Sequence, residues 1–239
     1  MAGPATSTFQ AGADKYSVVS YAGSGTPPKS PTVVLLHGTD GLEGESGKEI
    51  PKLASQIADA GFVVFVPEYF DRNEPTGLPV EELFARRIQS VGTYAPRVAA
   101  AVDHARNDPR VDRARLALVG LSLGGGLALQ YAVGAPAGTV DAVVDFFGYI
   151  DSGSNVLRDA GKLPPTLIMH CKNDAVVDLS YSEKLRDALQ KNRRDHEYHV
   201  YDDDYHERKF HPFRPGGPAD KDSRQRTTQW LKKYVAAAV

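Results

Sequence analysis

The chain has 239 residues, 41% of them hydrophobic, which is enough to bury a full core within one α/β unit. Its 28 basic and 30 acidic residues leave a net charge of −2 and are spread along the chain, so neither a nucleic-acid footprint nor a polybasic membrane patch is expected. A single cysteine, Cys171, excludes an internal disulfide and a cysteine-based zinc cluster, and no apolar run approaches the roughly 18 residues of a membrane span.

The opening Met-Ala-Gly-Pro-Ala-Thr-Ser lacks the charged and apolar regions of a signal peptide, so a cytoplasmic protein is expected. Residues 1–14 read as a loose leader, and Lys15 to Ala22 as an edge strand. Thr32-Val-Val-Leu-Leu36 is an unbroken apolar run of strand length, the pattern of a strand buried on both faces of a parallel sheet. It ends in the turn His37-Gly-Thr-Asp-Gly-Leu42. A helix is predicted around Lys48–Ala60, with Ile50, Leu53, Ala54 and Ile57 on one face and Gly61 as its stop. Phe62-Val-Val-Phe-Val66 is a second buried strand, closed by Pro67. A polar, proline-bearing loop over 68–79 leads to helices at Val80–Gln89 and Arg97–Arg106, with Pro96 breaking or kinking the passage between them.

Strands follow at Leu116–Val119, Val140–Phe147 and Thr166–His170, the last two separated by the excursion Asp151–Leu163. Ser180-Tyr-Ser-Glu183 has capping-box spacing ahead of a helix carrying Tyr181, Leu185 and Leu189. Glu197–Tyr201 is a final strand. A Pro- and Gly-rich loop, 206–218, precedes a closing helix with Trp230, Leu231, Tyr234 and Val235 as its apolar stripe. Strand and helix alternate throughout, without internal repeat or dividing linker. The expectation is one α/β domain over 1–239, with a mostly parallel central sheet covered by helices on both faces.

One stretch carries the chemistry. Leu116-Ala-Leu-Val-Gly-Leu-Ser-Leu-Gly-Gly-Gly126 reads as a strand, then Gly120-Leu-Ser-Leu-Gly124, then a helix start. A serine flanked by glycines on so sharp a turn is a nucleophile elbow. Side chains at Gly120 or Gly124 would collide across the turn, while Ser122 Oγ is lifted clear of the sheet. A glycine-rich strand–helix turn can also cradle a phosphate, the competing use of the same geometry. The strand before and the helix after favour the serine nucleophile.

Ligand-binding groups on open α/β sheets collect at the carboxyl ends of strands, and the order serine, acid, histidine accompanies this elbow. The loop His170-Cys-Lys-Asn-Asp-Ala-Val-Val-Asp178 offers Asp174 as the acid; Asp178 lies nearer the following helix, where a carboxylate serves the helix N-terminus. After the last strand, Asp202-Asp-Asp-Tyr-His206 offers His206 as the base, with His211 as second choice. His196 and His199 sit at or in the strand and read as structural, as do His104 and His170. The acidic run Asp202–Asp204 reads as a solvated turn, because no second histidine has ligand spacing to His206; no metal is expected. The oxyanion donors expected are the backbone N–H of Leu123 at the helix start and that of Thr39, in the tight Gly38-Thr-Asp-Gly41 turn.

These pieces resemble the α/β-hydrolases of the dienelactone hydrolase group. The matching segments are Leu36–Leu42, Val66-Pro-Glu-Tyr-Phe-Asp71, Val119–Gly125, His170–Asp174 and Tyr205-His206, in the family's order and spacing from about residue 15 onward. The resemblance implies an α/β-hydrolase fold, Ser122 as nucleophile, Asp174 and His206 as its relay, and the Leu123 and Thr39 amides as oxyanion donors. Dienelactone hydrolases proper use a cysteine nucleophile supported by a glutamate; here Ser122 holds the nucleophile position and Gly38 the glutamate's place. A serine esterase or lactonase, needing no cofactor and acting on a small molecule, is therefore expected. Arg208 is a candidate to pair a substrate carboxylate, against the exposed salt-bridging role common for arginines. The rival functions are an acyltransferase using the same triad and a non-catalytic binding protein on this fold.

Overall fold

The computed structural model describes residues 3–44, 47–202 and 213–236. In chain order the strands are β1 (Ala5–Ala11), β2 (Asp14–Ala22), β3 (Ser30–Leu36), β4 (Val63–Pro67), β5 (Val111–Leu121), β6 (Ala142–Phe146), β7 (Thr166–Cys171) and β8 (His196–Tyr201). The helices are α1 (Ile50–Asp59), α2 (Val80–Ile88), α3 (Val91–Asn107), α4 (Leu123–Gly134), α5 (Ser180–Lys191) and α6 (Pro218–Tyr234).

All eight strands form one sheet in the order β1-β2-β4-β3-β5-β6-β7-β8. From β4 to β8 every pairing is parallel, and only β1–β2 and β2–β4 are antiparallel. Parallel strands need a crossover between them, and these crossovers place helices on both faces. The alternation of the strand residues sorts the core in two. Val34, Leu36, Leu118, Val143 and Ile168 face Val98 and Val102 of α3, Leu127 of α4 and Leu185 and Leu189 of α5. Val33, Leu35, Val119, Val144 and Leu167 face Leu53 and Ile57 of α1 and Trp230 and Leu231 of α6. Each fully buried side chain of this size contributes about 1.5–3 kcal/mol. The uninterrupted apolar runs are thus strands covered on both sides, as their composition implies.

Three expectations need correction. The N-terminal segment is not a loose leader: residues 5–11 form β1, paired residue by residue with β2 from Ala5↔Ser20 to Ala11↔Asp14. Its one buried side chain, Phe9, is 3% exposed and packs on Tyr16 with ring centroids 5.7 Å apart. Consequently β2 is an inner strand, and β1 takes the edge. Second, Pro96 does not divide two helices but lies within α3. The Thr93 and Tyr94 N–H groups already bond the Ser90 carbonyl at 2.8 and 3.1 Å, so the helix is under way before the proline. One backbone bond is forgone there, and burial of Val98, Ala101, Val102 and Ala105 offsets it. Third, Ser180 is the first residue of α5 rather than its cap; the Asp178 carboxylate accepts the Ser180 N–H at 2.9 Å, the helix-terminal duty expected of Asp178.

Candidate active site

The carboxyl ends of β3 to β7 lie along one edge of the sheet, and the candidate residues gather there. Ser122 links β5 to α4 at φ 53 and ψ −118, a conformation costing a non-glycine residue about 1–3 kcal/mol. The surroundings hold it there. The Ser122 N–H donates to the Phe146 carbonyl at 2.9 Å, and its own carbonyl accepts from Gly126 N at 3.2 Å and Tyr149 N at 3.1 Å. The flanking glycines are required sterically. A Cβ on Gly120 would overlap the Gly124 carbonyl, and a Cβ on Gly124 would overlap the carbonyls of Leu36 and His37. Leu123 opens α4, so its N–H is among the helix-terminal groups without an intrahelical partner.

The turn after β3 lies against this elbow. A Cβ placed on Gly38 would sit 3.5 Å from Ser122 Cβ, an ordinary contact, so a side chain at this position would face the serine. Gly41 N–H closes the turn on the Gly38 carbonyl at 3.1 Å, with Gly41 itself at φ 69. Thr39 is buried, and its carbonyl accepts from Nη1 of Arg87 on α2. Arg87 also donates to the Pro75 carbonyl at 3.1 Å, lies 3.3 Å from Glu74 and covers the Phe70 ring at 3.8 Å. This buried cation therefore fastens the turn to the loop that precedes α2.

His37 and Glu68 escaped the sequence assignment. His37 is fully buried, with Nδ1 2.9 Å from the Gly38 carbonyl and Nε2 3.0 Å from Glu68 Oε1. The Tyr69 ring stacks on the imidazole at 4.0 Å, and its hydroxyl donates to the His37 carbonyl at 2.5 Å. Burial works to raise the Glu68 carboxyl, but the neighbouring His37, the Phe70 N–H and Arg87 outweigh it and leave it below the ordinary carboxylate range. The available signal was positional: His37 and Glu68 both stand just beyond adjacent buried strands.

Asp174 lies just past β7, its side chain 5% exposed. Oδ1 accepts the N–H groups of Val176 and Val177 at 2.8 and 2.9 Å, which fixes the carboxylate on its loop. Oδ2 lies 3.4 Å from His170 Nε2. That nitrogen also faces the Val177 carbonyl at 2.9 Å, an acceptor, so it carries the proton, and Nδ1 accepts from the Ser182 hydroxyl. His170 is a satisfied core histidine that braces the loop. Asp145 of β6 is less comfortable. It is fully buried, and neither carboxylate oxygen has a hydrogen-bond partner among the described residues. It fills the space left by Gly125 and Gly148, where any Cβ would overlap it. Burial pushes its carboxyl up to about 7, with His170 drawing it partly back.

The structure thus brings Ser122, Leu123, the Gly38–Thr39 turn and Asp174 to one edge of the sheet. His206, its alternative His211, and Arg208 lie outside the described residues. No group of three or more His, Cys, Asp or Glu side chains among the described residues could hold a metal ion, and no described helix is long and apolar enough to cross a membrane.

The Dienelactone hydrolase family profile matches residues 18–235. The chain belongs to the dienelactone hydrolase family. It is accordingly a member of a hydrolase family on an α/β-hydrolase fold. An Aquifex aeolicus protein named "Putative carboxymethylenebutenolidase" is 26% identical over 160 residues, covering 63% of this chain and 67% of its own. Among solved structures, a dienelactone hydrolase from Anabaena variabilis superposes with a TM-score of 0.73 at 20% identity, over 98% of both chains. A dienelactone hydrolase-like promiscuous phosphotriesterase from metagenomic libraries does so with a TM-score of 0.79 at 18% identity, over 97% of this chain and 98% of its own. Similarity at that level establishes the shared fold.

Proposed function

We propose that this family member hydrolyses a small carboxylic ester or lactone through an acyl-enzyme on Ser122. The observation that carries the proposal is the elbow itself: Ser122 at φ 53, held by its neighbours' backbones beside the Gly38–Thr39 turn. The name of the Aquifex relative, "Putative carboxymethylenebutenolidase", supports a lactone or ester as the substrate class.

In the proposed reaction Ser122 Oγ attacks the carbonyl carbon while His206 removes its proton. Asp174 orients the imidazole and stabilises the imidazolium that forms. The N–H groups of Thr39 and Leu123 take up the negative charge on the carbonyl oxygen, worth about 3 kcal/mol per donor in comparable sites. His206 then protonates the leaving alkoxide, and water, activated by the same histidine, releases the acid. Arg208 is assigned to a carboxylate on the substrate. No step needs a metal or cofactor.

Intact mass after treatment with a fluorophosphonate, on the parent protein and on Ser122→Ala, tests this reading. One adduct on the parent and none on the variant is expected, followed by turnover of simple activated esters by the parent alone. Equal labelling of both proteins, or ester turnover that survives Ser122→Ala, would overturn it.

A further inference from the structure

The two nitrogens of His37 each face an oxygen that accepts. Nδ1 meets the Gly38 carbonyl at 2.9 Å, which has no proton to give. Nε2 meets Glu68 Oε1 at 3.0 Å, and that same oxygen accepts the Phe70 N–H at 3.2 Å, as a carboxylate does. A neutral imidazole has one N–H and could satisfy only one of these contacts. We propose that His37 is an imidazolium, held in that state by Glu68, and that it is a positioning residue that orients and polarises the Gly38–Thr39 peptide. This rests on the proposal that the Thr39 N–H is an oxyanion donor.

The Gly38 carbonyl and the Thr39 N–H belong to one planar, conjugated group, so a donor at one end fixes the direction of the other. Two donors act at the oxygen end: Gly41 N–H at 3.1 Å and His37 Nδ1–H at 2.9 Å. A charged donor bonds about twice as strongly as a neutral one, and it draws electron density toward the oxygen, making the Thr39 N–H a stronger donor. Charge develops on the substrate oxygen in the transition state, so the benefit appears in kcat more than in KM.

The surroundings suit a cation despite full burial. Glu68 supplies the counter-charge and the Tyr69 ring stacks face to face at 4.0 Å, offering its electron-rich face. Phe70 meets the ring edge-on at 4.6 Å. The other charged groups nearby are Arg87 from α2, which opposes the imidazolium but also draws the Glu68 carboxyl down, and Asp40 on the same turn, which acts on the Tyr69 phenol stacked against the ring. Tyr69 and Tyr94 remain neutral, since burial raises both phenols.

Two measurements on the full chain test the proposal. In ring-nitrogen NMR of the parent protein, both His37 nitrogens should carry a proton. A single protonated nitrogen there would overturn the proposal whatever the enzyme's activity. In Glu68→Gln, a near-isosteric change at a partly exposed side chain, kcat for an activated ester should fall about tenfold at pH 8 with KM within twofold. An unchanged kcat, or a loss carried by KM alone, would refute the polarising role. Fluorophosphonate labelling of Ser122 separates these outcomes from failure of the hydrolase reading. A charged His37 in a protein whose serine is unreactive would leave the ion pair standing and sink the enzyme.

Discussion

Replacing Asp145 with asparagine should change how stability depends on pH. The carboxyl is fully buried without a hydrogen-bond partner among the described residues, and burial raises it to about 7 from an ordinary 3.8. An acid whose folded-state value is raised contributes full stability below its unfolded value and loses it as pH climbs through the folded one, because the unfolded chain releases the proton first. At about 1.36 kcal/mol per pH unit, the complete effect is about 4 kcal/mol, of which about 2 kcal/mol falls between about pH 5.5 and 8.5. Asparagine has nearly the same shape and does not titrate. Urea unfolding of both proteins across that range should therefore show the parent losing about 2 kcal/mol relative to the variant. Distant groups common to both proteins, including the lowered Glu68 carboxyl, cancel in the difference. A parent-minus-variant gap that stays constant with pH would refute the raised carboxyl and show that Asp145 is ionised and partnered.

Two further outcomes follow from packing. Gly124→Ala should be destabilised by about 3 kcal/mol or more and lose the proposed activity, since its Cβ would overlap the backbone carbonyls of Leu36 and His37 and neither can yield without moving β3; a variant with the parent's thermal midpoint would contradict the close approach. Phe9→Ala should cost about 3 kcal/mol in urea unfolding, because Phe9 is the one buried anchor of the edge strand, while leaving the active-site edge intact; a loss within about 0.5 kcal/mol would mean that β1 adds little to the core.

How much of this was legible in the sequence depends on the range over which each signal acts. The buried strands announce themselves because a strand covered on both faces must be apolar at every position, and Val33 to Leu36 or Val63 to Val66 show that over a few residues. The elbow is equally local: Gly120 and Gly124 record a steric demand two residues either side of Ser122. β1 was missed because an edge strand needs only one buried residue, and Phe9 among exposed neighbours carries no periodicity. Pro96 misled because propensity at one residue yielded to the burial of a whole helix face. The His37–Glu68 pair is a product of strand register. Val34 pairs with Phe65, so the residues three further on, His37 and Glu68, arrive level with each other at the carboxyl ends of neighbouring parallel strands. Their places just past two buried strands hint at that meeting, but no local pattern around either residue marks it. Asp145 was visible as an acid inside an apolar strand, but the space it fills is set by glycines on other segments.

The serine and the turn beside it are not independently built. The His37 carbonyl accepts the Tyr69 hydroxyl and, on its other side, leaves no room for a side chain at Gly124, so one backbone oxygen fixes both the start of the turn and the distance to the elbow. Arg87 grips the next carbonyl but one, at Thr39, and ties it to α2. Between those two fixed carbonyls lies the Gly38–Thr39 peptide, whose oxygen is taken by His37 and Gly41. Three successive peptide oxygens, those of His37, Gly38 and Thr39, are therefore each committed to a partner. Preorganised donors of this kind stabilise charge without reorganising during the reaction, and their value depends on being unable to relax. The buried arginine, the stacked tyrosine and the histidine–glutamate pair are costly groups to place inside a small domain. Their concentration around a single peptide unit beside a strained serine is what the proposed oxyanion site would need, whereas a turn of purely structural duty would be served by apolar packing.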